Sequence, residues 1–133
     1  MVYADRDFAV IVLVQSAQGV PLVRDPSKPA PRYWKLPGGK GEEGDTVEQA
    51  GWRELREETG VELSIESLKV VLKKDRRTHD LYVVVATIDQ LPSVAEQGVE
   101  GEEIGVFHSL EEITQLSDFF PPHHSLLQEL KLV

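Results

Sequence analysis

Apolar positions along this chain fall into short runs of two kinds, continuous or alternating in some segments and spaced at three and four residues in others. Residues 7 to 15 hold an almost unbroken run rich in Val and Ile, which predicts a strand buried on both faces. Ser16 to Gly19 reads as a turn and Val20 to Arg24 as a return strand, so the pattern predicts a hairpin. Prolines at 26, 29 and 31 make residues 25 to 32 an irregular loop. Tyr33 to Leu36 is expected to form a short strand stopped by Pro37, which has no amide hydrogen, and by Gly38-Gly39.

A helix is expected from Asp45 or Thr46, either of which can cap it, with Glu48 or Gln49 placed in its first turn. Gly60 is suited to close it in the left-handed conformation. Val47, Ala50, Leu55 and Trp52 offer apolar surface, while Glu54, Glu57 and Glu58 share a different side. Gly51 costs about 1 kcal/mol relative to alanine inside a helix, which predicts close packing against a neighbouring strand. Beyond it, residues 68 to 75 and 81 to 88 read as two strands joined by a turn containing His79. An acidic loop from Glu96 to Glu103, a last strand from Ile104 to His108 and a short helix from Leu110 to Leu116 follow. Pro121-Pro122 opens a final helix with Leu126, Leu127 and Leu130 on its apolar stripe. The order of elements predicts an α/β (α+β) domain, a mixed β-sheet sandwiched between α-helices.

The 133 residues, 41% of them apolar, suffice for one core and not for two, so residues 1 to 133 are read as a single domain. The longest apolar run is far below the roughly 20 residues of a membrane span. Asp5, Arg6 and Asp7 precede that run without a cleavage-like site, so the expectation is a soluble, cytoplasmic protein with no membrane partner. A net charge of −9 disfavours a nucleic-acid polymer as partner, because that affinity comes from lysine and arginine displacing counterions. It leaves room for a small phosphorylated substrate, since a cation and a few basic residues reverse the field within one cleft. Arg24, Lys28, Arg32, Lys35 and Lys40, with Lys73, Lys74, Arg76 and Arg77 further on, are the candidates, against the plainer reading of ordinary solvated surface.

Without cysteine, any metal must be held by oxygen or histidine ligands. Glu54, Glu57 and Glu58 repel one another at helical spacing and call for a compensating charge, supplied in part by Arg53 and Arg56 and in part by a bound cation. Magnesium takes oxygen ligands, usually a few carboxylates together with substrate phosphates. Gly38 and Gly39 have no side chain to block close approach, so a backbone carbonyl there can add a ligand. A carboxylate of the same cluster can take a proton from an attacking water.

Three glutamates alone more often mark a solvated face, but their flanks are more specific. Gly39, Asp45, Arg53, Glu54, Leu55, Glu57, Glu58, Gly60 and Val61 stand at the spacings of the Nudix box, preceded by Leu36-Pro37-Gly38. The chain thus resembles the Nudix hydrolases over most of its length, including a segment near Phe107 and Leu110. The resemblance implies the Nudix fold and magnesium-dependent cleavage (manganese as the alternative) of a nucleoside diphosphate linked to another group. A nucleoside triphosphate giving monophosphate and pyrophosphate is the leading expectation. It implies Glu57 and Glu58 as first metal ligands, Glu54 as a further ligand or base, and Gly39 and Glu100 completing the set.

Similarity to the mutator-type subgroup places Glu100, Glu102 and Glu103 near an additional acidic ligand, and His124 where that subgroup has a base-contacting asparagine. Catalytic roles are thereby expected of Glu54, Glu57 and Arg53, and substrate contacts of Gly38, Lys40, Arg32 and His124. His123 and His124 are read first as exposed residues at a helix start, and Tyr33 and Trp34 as core. The box has glutamate where this chain has Asp45, one methylene shorter, which predicts a weaker contact to Arg53 or a plain helix cap. A nucleotide-binding module impaired in catalysis is the alternative that this departure supports. The sequence leaves the oligomeric state open.

Overall fold

The computed structural model describes all 133 residues. Its centre is a four-stranded mixed sheet built on β1 (Phe8–Gln15). β1 pairs antiparallel with β3 (Gly38–Lys40) and in parallel, over its whole length, with β5 (Asp80–Thr87), from Phe8↔Asp80 to Gln15↔Thr87. β4 (Lys69–Asp75) lies outermost against β5, with a register irregularity between Val70 and Leu72. A second sheet holds only β2 (Val20–Arg24) and β6 (Glu103–Phe107), antiparallel.

Because side chains alternate across a strand, β1 serves two cores, as its double-sided apolar pattern predicts. Phe8, Val10, Val12 and Val14 face helix α1 (Val47–Thr59), packing with Val47, Ala50 and Leu55 and with Tyr82 and Val84 of β5. Ile11 and Leu13 face the other way, into a cluster with Val20, Leu22 and Leu36. Ile113 of α2 (Leu110–Thr114) and Leu126 and Leu127 of α3 (Pro121–Glu129) complete that cluster. The mixed sheet between helices matches the expected architecture. No helix is long and apolar enough to cross a membrane.

Helix α1 begins as its sequence demands. Thr46, and not Asp45, is the cap: its hydroxyl accepts from the Gln49 amide at 3.1 Å, and the Gln49 side chain accepts from the Thr46 amide at 2.7 Å. Gly60 closes the helix at φ 77°, donating to Arg56 O. Gly51 sits against β1 and β5, yet a Cβ there would meet Val12, Val10 and Val84 at 3.4 to 3.7 Å, ordinary contact distances. Packing therefore explains the site without requiring glycine.

Two expectations of local pairing fail. β2 does not return along β1 as a hairpin, since only Ser16 and Gly19 bridge and β2 pairs with the distant β6. The strand expected at Tyr33 to Leu36 is reduced to bridges at Trp34 and Lys35, and the regular strand starts after Pro37, where a stop was expected. The second has a plain cause: residues 34 to 38 cross from one sheet to the other. Lys35 exchanges both backbone bonds with Val23 at 2.9 Å, whereas Val12 N donates to Pro37 O at 2.8 Å. Pro37 joins the ladder through its carbonyl, which costs it nothing.

Candidate active site

β3 and α1 bring the glycine pair against the glutamates. Gly39 stands opposite Val10, and the space over its Cα is taken by the Glu54 carboxyl: a Cβ there would lie 2.6 to 2.7 Å from that group. A side chain at Gly39 would push the Glu54 carboxyl aside, whereas at Gly38 a Cβ would meet the Val10 carbonyl oxygen and Ile11 Cα, the close backbone approach for which glycine is required. The Gly38 amide donates to Glu58 Oε1 at 2.8 Å. Two glycines read from the sequence as backbone contributors are thus each in register with a glutamate of the helix.

Arg53 ties the loop before α1 to the same cluster. Its guanidinium reaches Asp45 Oδ2 at 2.5 Å, Lys40 O at 3.2 Å, Glu42 Oε2 at 3.6 Å and Glu54 Oε1 at 3.8 Å. Asp45 also accepts the Glu42 amide at 2.9 Å. The shorter carboxylate does reach its arginine, against the expectation of a weakened contact. Burial works to raise Asp45, but the Arg53 hydrogen bond and the Glu42 amide outweigh it and hold the carboxyl below its usual range. Burial likewise works to lower Arg53, and Asp45 more than offsets it.

The loop after β5 delivers more acid to the far end of α1. Val99 N donates to Glu57 O and Ala95 N to Thr59 O, both at 2.9 Å. Of the three acidic candidates there, Glu103 is drawn away by Arg24 at 2.6 Å, and Glu102 folds back to accept the Glu100 amide at 3.0 Å. Glu100 is exposed, and its charge acts on Glu54.

The electrostatic result is a crowded set of carboxyls. Glu54 is raised above the usual carboxylate range, first by burial and then by the charge of Glu57, with Arg53 opposing. Glu58 is pushed up to about 8, mainly by burial, against the Gly38 amide and with Glu54 and Glu102 adding repulsion. Carboxyls that burial and mutual repulsion push towards the neutral form are ones that a hard divalent cation would stabilise as anions. No three of the carboxyls close on a common point, however, and Glu58 Oε1 is engaged by Gly38.

The remaining expected site residues lie apart. Lys40 follows Gly39 in β3 and so projects from the opposite side of the sheet, lining a cleft of about 370 Å³ with Ala9, Thr78 and His79. Arg32 is exposed, donates to Pro26 O at 3.2 Å, and shares a cavity of about 270 Å³ with Lys28, Lys35, Tyr33 and Phe120. The charge of Lys35, in that cavity, slightly opposes the rise at Glu58. His124 is half-buried, its ring 6.2 Å from that of Phe119.

The expectation for His123 is overturned. It is buried at 9% exposure, and its Nδ1 accepts the Leu36 amide at 3.0 Å. Burial, and then the charge of Lys35, lower its pKa to about 4. The helix-start position suggested exposure, but α3 turns that face onto Leu36, a residue 87 positions away. Arg24 was also legible only as a basic residue; it lies 4.3 Å over the Trp34 ring and pairs with Glu103. No local pattern announces either contact.

The family model described as NUDIX domain matches residues 5–130. No curated protein matches the chain in sequence. Among solved structures, a bifunctional NMN adenylyltransferase/ADP ribose pyrophosphatase from Francisella tularensis, complexed with AMP and Mn ion, is 25% identical with a TM-score of 0.72. The match covers 98% of this chain and 42% of that one, so this chain spans less than half of that protein. MutT from Aliivibrio salmonicida and Vibrio cholerae is similar at 22% identity and TM-score 0.71, covering 95% and 96% of the two chains. The NUDIX domain of Shewanella oneidensis NrtR, complexed with ADP ribose, gives 19% and 0.74, covering 98% and 89%.

Proposed function

The chain belongs to the Nudix family, and from that premise we propose a pyrophosphohydrolase of nucleoside diphosphate-linked compounds, specifically a magnesium-dependent nucleoside triphosphate pyrophosphohydrolase releasing monophosphate and pyrophosphate. The observation that carries this reading is the juxtaposition of Gly38 and Gly39 with the carboxyls of Glu58 and Glu54. It joins the backbone of β3 to the acidic face of α1 at the spacing of the box.

In this reading Glu57 and Glu58 would hold the cation, with the Gly39 carbonyl and Glu100 as the further donors and Glu54 as either a further ligand or the base. Magnesium, or manganese in its place, supplies charge neutralisation at the phosphates and a more acidic water. A water oxygen attacks one phosphorus in line, the bond from that phosphorus to the bridging oxygen breaks, and the bridging oxygen leaves with the other product. As the base, Glu54 would take the water's proton, a role suited to a carboxyl whose proton affinity is raised. Arg53 fixes the loop through Asp45 and stands 3.8 Å from Glu54, which orients that base.

The Gly38 backbone, Arg32 and His124 are assigned to the substrate, with Lys35 added because it lines the Arg32 cavity, while the Lys40 side chain, in its separate cleft, would reach a substrate only at its margin. Residues 1 to 133 act as one catalytic domain, on a small nucleotide and not on a nucleic-acid polymer, in the cytoplasm. A panel of nucleoside triphosphates and ADP-ribose, with and without magnesium, tests the reading. Triphosphates should be turned over only with the metal, and Glu57→Gln should lower kcat by about 10²- to 10⁴-fold. Turnover that survives this change sinks the assignment, and cleavage of ADP-ribose alone replaces the substrate class.

A further inference from the structure

Residues 34 to 38 cross between two sheets, and at the crossing two amides lose their ladder partners. Each finds a side chain instead: Leu36 N donates to His123 Nδ1 at 3.0 Å, and Gly38 N to Glu58 Oε1 at 2.8 Å. Between them Pro37 has no amide hydrogen and a fixed φ, and its carbonyl is held by Val12 N at 2.8 Å. Leu36 is 3% exposed, so its amide has no recourse to water. A short, stiff segment thus has His123 of α3 at one end and Glu58 of α1 at the other.

We propose that His123 is a positioning residue for the reaction, holding Leu36-Pro37-Gly38 in the place from which the Gly38 amide orients the Glu58 carboxyl. The bond needs an unprotonated Nδ1, hence the neutral ring with its proton on Nε2. The Phe120 ring stands edge-on to the imidazole at 4.9 Å and restricts its rotation. Loss of the acceptor frees Leu36, lets the segment shift, and releases Gly38 from the geometry that Glu58 requires. The proposal rests on the reading of Glu58 as a working carboxyl of the site, but its mechanical half is independent of turnover.

The test compares His123→Leu with His123→Asn, whose Oδ1 stands where Nδ1 does. Amide hydrogen exchange in the free protein, referenced to the core amide of Val84, should accelerate about tenfold at both Leu36 and Gly38 in the leucine variant. Both should return towards the wild-type rate in the asparagine variant. In parallel, the magnesium concentration for half-activation should rise several-fold with His123→Leu while the nucleotide KM stays within about twofold, and His123→Asn should restore it. Should His123→Leu fail to fold, His123→Gln, with its acceptor displaced by one methylene, takes its place. Acceleration at Leu36 without any at Gly38, or no rescue by a folded asparagine variant, overturns the proposal. A wild-type protein without magnesium-dependent turnover overturns the functional reading instead, and the exchange at Gly38 still decides the coupling.

Discussion

The two faces of the central sheet are put together differently. Towards α1, the acidic cluster comes mostly from one continuous stretch, Gly38 to Val61, whose apolar residues pack on even-numbered residues of β1 and β5. Towards α3, the core is gathered from β1, β2, Leu36, α2, Phe119 and α3, and the polar contacts join residues such as Leu36 with His123 and Arg24 with Glu103. The first face can fix its chemistry by spacing along one helix and one loop. The second can only do so once distant segments have docked, so its polar groups are buried by topology rather than by local design.

The largest expected effect breaks the α3 face. His123 has a folded pKa of about 4, lowered from 6.5. The unfolded chain therefore binds a proton there that the native chain refuses as pH falls from 6.5 towards 4. Stability from this group is fully present above 6.5, is lost through that window, and amounts to about 3 kcal/mol. Denaturant melts of wild type and His123→Asn across this range should diverge by that order at the acid end; parallel curves would mean that the ring is charged in the fold.

The next effect concerns the α1 face. Asp45→Ala removes the charged partner of Arg53 at 2.5 Å and should cost about 1.5 to 3 kcal/mol, while Asp45→Glu should stay within about 1 kcal/mol of wild type. Chemical denaturation decides this, and an alanine variant as stable as wild type would reduce Asp45 to a surface charge. The smallest effect is a gain. Gly51→Ala should stabilise by about 0.5 to 1 kcal/mol, because the added methyl meets three valines at contact distance and restores helix propensity. A lower melting temperature would show that α1 and β1 stand too close for it.

The same contrast explains what could be read beforehand. The box, the Gly60 closure, the capping of α1 and the double-sided strand are legible because each depends on residues within one turn, one strand or one motif. The pairing of β2 with β6 is not, since a turn signal at Ser16 to Gly19 says nothing about which strand will accept Val20 to Arg24. The Pro37 signal misled for a related reason: a missing donor argues against a ladder only on the bonded side, and Pro37 enters it as acceptor. His123 looked exposed because helix starts usually are, and only the docked α3 reveals Leu36 beneath it.

The parallel pairing of β1 with β5 has a consequence for biosynthesis. Phe8 is matched with Asp80, 72 positions later, and every residue of β1 has its partner at that same separation. The most continuously apolar strand of the molecule is thus translated well before the strand that covers its edge. Until Thr87 has left the ribosome, β1 cannot complete that ladder, and the nascent chain carries an unpaired, sticky edge. The interval between those two points of synthesis is when this protein is most exposed to aggregation and most dependent on whatever shields nascent chains.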